Sequence, residues 1–304
     1  MSAALIDGVA AAALLRVEIA IEVKELLSAG VRPGLSTVLV GEDYAARAYE
    51  ARVRRLAQDL DVRYGCERLP GDAELADVLA VVGKLNADPR VSGILVLRPL
   101  PAQVPDEEVV RALEPLKDVE AVHPHNAGLM AEGTPRFVPS TPASCYRLLD
   151  SYLDEAGEDR VAFYRRSAIV VVGRSNNVGK PAMSLGMARG AVMISCDEHA
   201  FAAGRLAEHT RLGDVLIVAA GVPGLIGPDE VRPGAIVVDV GINPVTDSAT
   251  GRTHMVGDVD LAGVSAVARA ITPVPGGVGP VTDVWLLHNT VVAASLAAAR
   301  RGLC

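Results

Sequence analysis

Apolar residues recur at helical spacing from Val9 to about Ala29, and Gly30 followed by Pro33 and Gly34 ends that pattern. Ser36 to Val40 is a short apolar run closed by Gly41, the mark of a buried strand. Tyr44 to Leu60 and Asp72 to Asn86 return to helical spacing, and Gly93 to Leu97 is a second strand, stopped by Pro99 and Pro101. An extended, proline-containing stretch from Pro135 to Pro142 leads into a helix reaching about Asp154, and then a polar connector, Glu155 to Arg166. A second series starts at the unbroken apolar strand Ala168 to Val172. It continues with a helix from Lys180 to Arg189 and strands at Ala191 to Ser195, Leu216 to Ala220 and Ala235 to Val240. After a Pro/Gly segment, Thr272 to Pro280, a final helix runs from about Thr282 to Arg300.

Strands alternating with helices at this spacing predict βαβ units and parallel sheets, an α/β fold in two domains. The connector Glu155 to Arg166 is the expected junction. A length of 304 residues suits two cores, and an aromatic content of only 3%, with Ala, Val, Leu and Gly abundant, suits strands covered by helices on both faces.

Charge narrows the classes of function. A formal net charge of −8 argues against a nucleic-acid partner, since phosphate binding needs a basic surface, and Arg52, Arg54 and Arg55 read as a solvated helix face. No run of consecutive apolar residues approaches the ~18 to 20 of a membrane span, and the start MSAALIDG lacks a basic, cleavable leader, so a cytoplasmic protein is expected. Cys66, Cys145, Cys196 and Cys304 lie far apart with no C-x-x-C pair, and the histidines show no H-x-x-x-H, so no disulfide framework or metal site is expected.

The segment AIVVVGRSNNVGKP carries the clearest chemistry. Gly173 stands where a buried strand ends and Gly179 where a helix opens, a place where backbone N–H groups receive a pyrophosphate. Gly173 permits the tight turn, Gly179 a close approach to phosphate oxygens, and Ser175 offers a hydroxyl. The spacing G-x-S-x-x-V-G departs from G-x-G-x-x-G, so a glycine-rich turn without ligand is the competing reading. Asp197, after the next strand, falls near the ~20-residue offset of an acid that binds a ribose 2′-hydroxyl. Its carboxylate favours NAD over NADP, Arg174 pulls the other way, and an ordinary solvated loop aspartate is the alternative.

Taken together, IDG near the start, VLVGEDYAARAY (Val38 to Tyr49), GILVLRPLP (Gly93 to Pro101), KDVEAVHPHNAG (Lys117 to Gly128), PSTP (Pro139 to Pro142), GRSNNVGKP (Gly173 to Pro181), VDVGIN (Val238 to Asn243), VGDVD (Val256 to Asp260) and TPVPGGVGPVT (Thr272 to Thr282) resemble the bifunctional methylenetetrahydrofolate dehydrogenase/methenyltetrahydrofolate cyclohydrolase family. The resemblance implies a folate-binding catalytic domain (1–145 with 282–304), a Rossmann-like NAD(P)-binding domain (146–281) and a homodimer. It implies hydride transfer from 5,10-methylenetetrahydrofolate to NAD or NADP, then hydrolysis of the methenyl product. It places the cofactor on Gly173, Arg174, Ser175, Val178, Gly179, Asp197, Gly221, Ile242 and Thr282, and the folate on Tyr49, Glu120, Pro275, Gly276 and Gly277.

Of the four catalytic positions the resemblance implies, Tyr49, Val53, Leu97 and Glu120, three depart from the family pattern. In its Tyr-x-x-x-Lys helix motif the tyrosine stacks on folate and the lysine handles protons for the hydrolysis; Tyr49 matches, but Val53 holds the lysine position. The glutamine that bonds this lysine is replaced by Leu97. In D-V-D-G the pterin-binding aspartate becomes Glu120 and the glycine Ala121. The paired loss is coherent, because a buried glutamine without its lysine costs ~1–3 kcal/mol. Arg52, three residues after Tyr49, shares its helix face, but arginine stays protonated and is a poor base. The expectation is a dehydrogenase with weak or lost cyclohydrolase activity. A paralogue acting on another small molecule, or a silent nucleotide-binding protein, are the alternatives.

Overall fold

The structure, a computed structural model, describes residues 2–246 and 251–302; Cys304 lies outside the described residues. Its strands are β1 (Ala4–Leu5), β2 (Gly34–Val40), β3 (Arg63–Leu69), β4 (Gly93–Val96), β5 (Ala168–Val172), β6 (Val192–Cys196), β7 (Val215–Val218), β8 (Ile236–Asp239), β9 (Asn243–Thr246), β10 (Thr253–Val256) and β11 (Ala270–Ile271). The chain forms two compact α/β units, one of residues 1–13 with 141–282, the other of 14–140 with 283–304.

The first unit is built on a six-stranded sheet in the order β1-β11-β8-β7-β5-β6, parallel throughout. From β5 the chain steps to β6 on one side, then returns to place β7 on the other. The carboxyl end of β5 is therefore a topological switch point, where a doubly wound sheet opens a crevice for a ligand. The strand run AIVVV is apolar at every position because both faces are covered: Ile169, Val170 and Val171 have no exposure, and Val170 and Val172 pack with Leu216, Val218 and Val237. β9 and β10 form a separate antiparallel hairpin.

The second unit holds a three-stranded parallel sheet, β3-β2-β4. β2 is central and buried along its length, and Val38, Val40, Ile94 and Val96 pack with Val78 and Val82 of the helix Leu75–Ala87. β3 has no counterpart in the apolar pattern. Its sequence RYGCERL lies at a sheet edge and stays half exposed, so no hydrophobic run marks it.

Two expectations need correction. The connector Glu155 to Arg166 is not a junction: it lies inside the first unit and carries the helix Arg160–Arg166, capped by Asp159, whose carboxylate accepts from the Ala162 amide at 2.7 Å. The final helix begins earlier, at Val278, and Val278–Arg300 is long and apolar enough on average to cross a membrane. Asp283, His288 and Asn289 interrupt its apolar run, so a count of consecutive residues misses it. Over half of its most apolar window is buried within the protein, and Asn289 donates to the carbonyls of Val119 (2.6 Å) and Val138 (2.8 Å).

Candidate active site

The loop after β5 has the stereochemistry of a phosphate cradle. Gly173 has φ +111°, and a Cβ there would sit 2.2 Å from the Ala219 carbonyl oxygen; one on Gly179 would sit 2.0 Å from the Gly173 oxygen. No other residue fits either position. The residues between them, 174–177, are exposed, and the helix Gly179–Ala188 starts directly behind. The turn is open to a ligand. The Ser175 hydroxyl accepts from the amides of Val178 (3.2 Å) and Gly179 (3.4 Å), which shapes the helix entry.

Arg174 and Asp197, read from sequence as opposing determinants, meet in space. Arg174 Nη1 lies 2.5 Å from Asp197 Oδ2, while its Nε donates to Ser195 Oγ at 2.7 Å and its Nη2 to the Ser195 carbonyl at 2.9 Å. Asp197 is more than a solvated loop residue, because its other oxygen caps the helix Glu198–Ala202 through the amides of His199 (3.2 Å) and Ala200 (3.4 Å).

The remaining motifs of this unit are joined by two buried aspartates that composition does not single out. Asp258 Oδ2 accepts from the amides of Ala220 (2.7 Å) and Gly221 (2.8 Å), fixing the turn after β7, and its Oδ1 accepts from Asn243 Nδ2 at 2.8 Å. Asp239 accepts from the amides of Gly241 (2.9 Å), Asp258 (3.0 Å) and Val259 (3.1 Å). Burial pushes its pKa up to about 6, despite those three donors. Ile242, between these carboxylates in sequence, is exposed. The Gly8 amide donates to the Gly276 carbonyl at 2.9 Å, and a Cβ on Gly8 would overlap the Gly277 oxygen at 1.7 Å. The IDG signature is thus the seat of the Pro275-Gly276-Gly277 turn. Thr282 Oγ1 contacts the Val278 carbonyl (3.1 Å) and Ser144 Oγ (3.4 Å).

In the second unit, Tyr49 projects from the helix Tyr44–Asp59, which Asp43 caps. Burial raises its phenol well above the ordinary range, and the carboxylates of Glu120 and Asp283 add to the shift. Val53, on the same helix, has no exposure, and Leu97 only 3%. Neither side chain can exchange a proton. Glu120 is bonded by the Ser140 hydroxyl, and burial pushes its carboxyl up to about 7, with Asp118 adding to the rise. Ala121, in place of the family glycine, has φ +52°, in the left-handed region.

Sequence reading missed two features here. Glu50, beside Tyr49 in the chain, is buried and accepts from the Tyr64 hydroxyl (2.8 Å) and Arg68 (3.1 Å). Arg52 places its guanidinium carbon 5.3 Å from the Tyr49 ring centroid and donates from Nε to Asp283 Oδ2 at 3.1 Å. The Glu50 contacts and the Arg52–Asp283 bond join residues on different elements, which local periodicity does not report, whereas Arg52 over Tyr49 is the shared helix face expected from their spacing.

The left-handed Ala121 supplies a stability prediction. A Cβ in that conformation costs about 1–2 kcal/mol, and the extra chain freedom of glycine returns about 0.5–1 kcal/mol of it. Ala121→Gly should therefore stabilise the protein by about 0.5–1 kcal/mol in urea unfolding. A destabilised variant would show that the methyl group contributes packing that outweighs the strain.

Fold and loop together define a two-unit α/β protein with a dinucleotide-type switch-point turn. Residues 6–120 match the tetrahydrofolate dehydrogenase/cyclohydrolase catalytic domain, and residues 139–298 the NAD(P)-binding domain of the same name. The chain belongs to the tetrahydrofolate dehydrogenase/cyclohydrolase family. It is 66% identical over 294 residues to the bifunctional protein FolD 3 of Rubrobacter xylanophilus, covering 96% of this chain and 92% of that one. It is 42% identical over 305 residues to the bifunctional protein FolD 2 of Ectopseudomonas mendocina, covering 100% and 96%. Its fold is similar to the crystal structure of the bifunctional FolD enzyme of Campylobacter jejuni, with TM-score 0.89, 34% identity and coverage of 97% and 99%. The Trypanosoma brucei enzyme, solved with NADP and an inhibitor, gives TM-score 0.89 at 30% identity, with coverage of 98% and 99%.

Proposed function

We propose that the protein is an NAD(P)-dependent methylenetetrahydrofolate dehydrogenase of one-carbon metabolism whose cyclohydrolase step is lost or severely weakened. One observation carries this reading: the cofactor turn is sterically intact at Gly173 and Gly179, while the two positions of the family's proton-handling pair are filled by the buried apolar side chains of Val53 and Leu97. The names of the relatives favour folate over an unrelated substrate.

The turn fits a dinucleotide, since the glycines at 173 and 179 let its backbone fold tightly while residues 174–177 stay open at the start of the helix Gly179–Ala188. Gly173, Ser175, Val178 and Gly179 would hold the diphosphate, and Gly221, Ile242 and Thr282 the remainder. When bound, NAD(P) supplies the hydride acceptor. Tyr49 offers the folate a ring to stack on, and Glu120 receives the pterin amino edge. Hydride transfer asks these residues chiefly for orientation of the methylene carbon. Opening the methenyl cation asks for proton transfer, and Val53 has no proton to move.

We take NAD as the preferred cofactor, because Asp197 already neutralises Arg174 and would repel a 2′-phosphate. We also take the protein as a homodimer: β6 is an edge strand, and Val192 on it is 60% exposed. Light scattering giving a monomer mass would overturn the dimer.

The principal test mixes protein, methylenetetrahydrofolate and either nucleotide, and follows the reduced cofactor by absorbance. Steady production supports the dehydrogenase; no product with either nucleotide at high enzyme concentration rejects it.

Glu120 gives this reading a pH signature. The pterin edge selects the ionised carboxylate, so folate affinity should rise with pH through about 7, by up to tenfold per unit below it. The uncomplexed protein runs the opposite way. Its folded carboxyl holds the proton more tightly than the ordinary value of 4.5, so this contribution to stability is present below 4.5 and lost as pH rises towards 7. Calorimetric titration of 5-formyltetrahydrofolate across this range should show the slope, and Glu120→Gln should flatten it. An equal slope in the variant would remove Glu120 from the site.

A further inference from the structure

We infer that Arg52 and Asp283 form a positioning pair that holds the Tyr49 ring as the folate platform in a site that has lost its lysine. The inference rests on the dehydrogenase reading above and extends it to two residues that the family motifs do not include.

The geometry is specific. Arg52 lies over Tyr49, 5.3 Å from the ring centroid, and its Nε is tied to Asp283 at 3.1 Å. Arg52 is half exposed, so without a tether its long side chain would sample many rotamers. Asp283 supplies the tether from the helix Val278–Arg300, directly after the TPVPGGVGPVT motif. It is only 21% exposed, and burial raises its pKa against the lowering effect of Arg52. Such a group is costly to keep unless its partner is present.

The other neighbours of the platform explain why a tether matters. Val53, one turn along the helix from Tyr49, is fully buried and carries no charge. Glu50 is engaged by Tyr64 and Arg68. Arg52 is therefore the cation placed against the ring, and a guanidinium stacked on an aromatic face both restrains the ring and leaves its opposite face for a ligand. Neither residue needs to touch the reacting carbon; Arg52 acts through Tyr49, and Asp283 through Arg52.

The test is a kinetic split on the intact protein. Arg52→Ala should raise KM for methylenetetrahydrofolate by about fivefold, the upper scale of a part-exposed cation–π contact, and leave KM for the nucleotide unchanged. Asp283→Asn should give a smaller rise in the same parameter. The double variant should be no worse than Arg52→Ala alone, because Asp283 acts only through Arg52. Arg52→Lys should recover part of the loss. Arg47→Ala, which removes the exposed Arg47–Glu42 pair on the same helix, should leave both KM values unchanged.

A folate KM unaltered in Arg52→Ala, additive losses in the double variant, or equal shifts in both KM values would overturn the proposal. If the unaltered protein gives no turnover, titration with 5-formyltetrahydrofolate reads the pair directly. Weaker binding in Arg52→Ala then supports the pair while the dehydrogenase reading falls. Equal binding by the two proteins rejects the pair, and absence of binding rejects both ideas.

Discussion

Given 5,10-methenyltetrahydrofolate, the purified protein should open it to the 10-formyl compound no faster than buffer does, and Val53→Lys combined with Leu97→Gln should raise that rate by about 10² or more. The magnitude follows from the ~10² to 10⁴ typical of a positioned acid–base group. Each single change should be worse than the pair. Val53 has no exposure, so a lone lysine there would bury an ammonium without its amide partner. A lone glutamine at Leu97 would leave an amide unsatisfied, at a cost of about 1–3 kcal/mol. The rescue should therefore be strongly non-additive in both activity and urea stability. Methenyl hydrolysis at an ordinary enzymatic rate in the unaltered protein would refute the claim and would point to another proton carrier in the pocket. Glu120, with its carboxyl near 7, would then be the first group to replace.

The second large effect concerns the nucleotide. The unaltered protein should use NAD in preference to NADP, and Asp197→Ser should shift the ratio of kcat/KM values towards NADP by about ten- to a hundredfold. A carboxylate beside a phosphate dianion in a part-exposed site is worth about 1.4 to 2.8 kcal/mol after screening, which corresponds to that range. Serine is the informative replacement because Asp197 also caps the helix Glu198–Ala202, and a hydroxyl keeps the cap that alanine would lose at about 1 kcal/mol. The change frees Arg174 from its ion pair while leaving its bonds to Ser195. Adding Arg174→Ala to Asp197→Ser should then reverse the gain. An unchanged cofactor ratio in Asp197→Ser would show that the pair does not face the adenosine ribose.

Much of the dinucleotide unit was legible in the chain. The apolar run Ala168–Val172 and the glycines at 173 and 179 mark a strand, a turn and a helix start through strictly local rules of burial and backbone freedom. β3 was not legible, because an edge strand needs few apolar residues. The unit boundary was also misread. A polar connector looks like a linker, yet residues 155–166 fold within one unit, and the first 13 residues belong with that unit because β1 pairs with β11 at the sheet's edge.

The substitutions at Val53, Leu97, Glu120 and Ala121 are visible in the amino-acid order alone, since each is a change of chemistry at a recognisable motif position. Their consequences depended on the folded chain. Only packing shows that Val53 and Leu97 are sealed from water, that Ala121 carries positive φ, and that Arg52 reaches Asp283 across a separation of 231 residues. The division has a physical origin. Hydrophobic period and backbone stereochemistry act between near neighbours and so are written in the local sequence. Desolvation and ion pairing depend on which distant surfaces the topology brings together, and they exist only once the chain has folded.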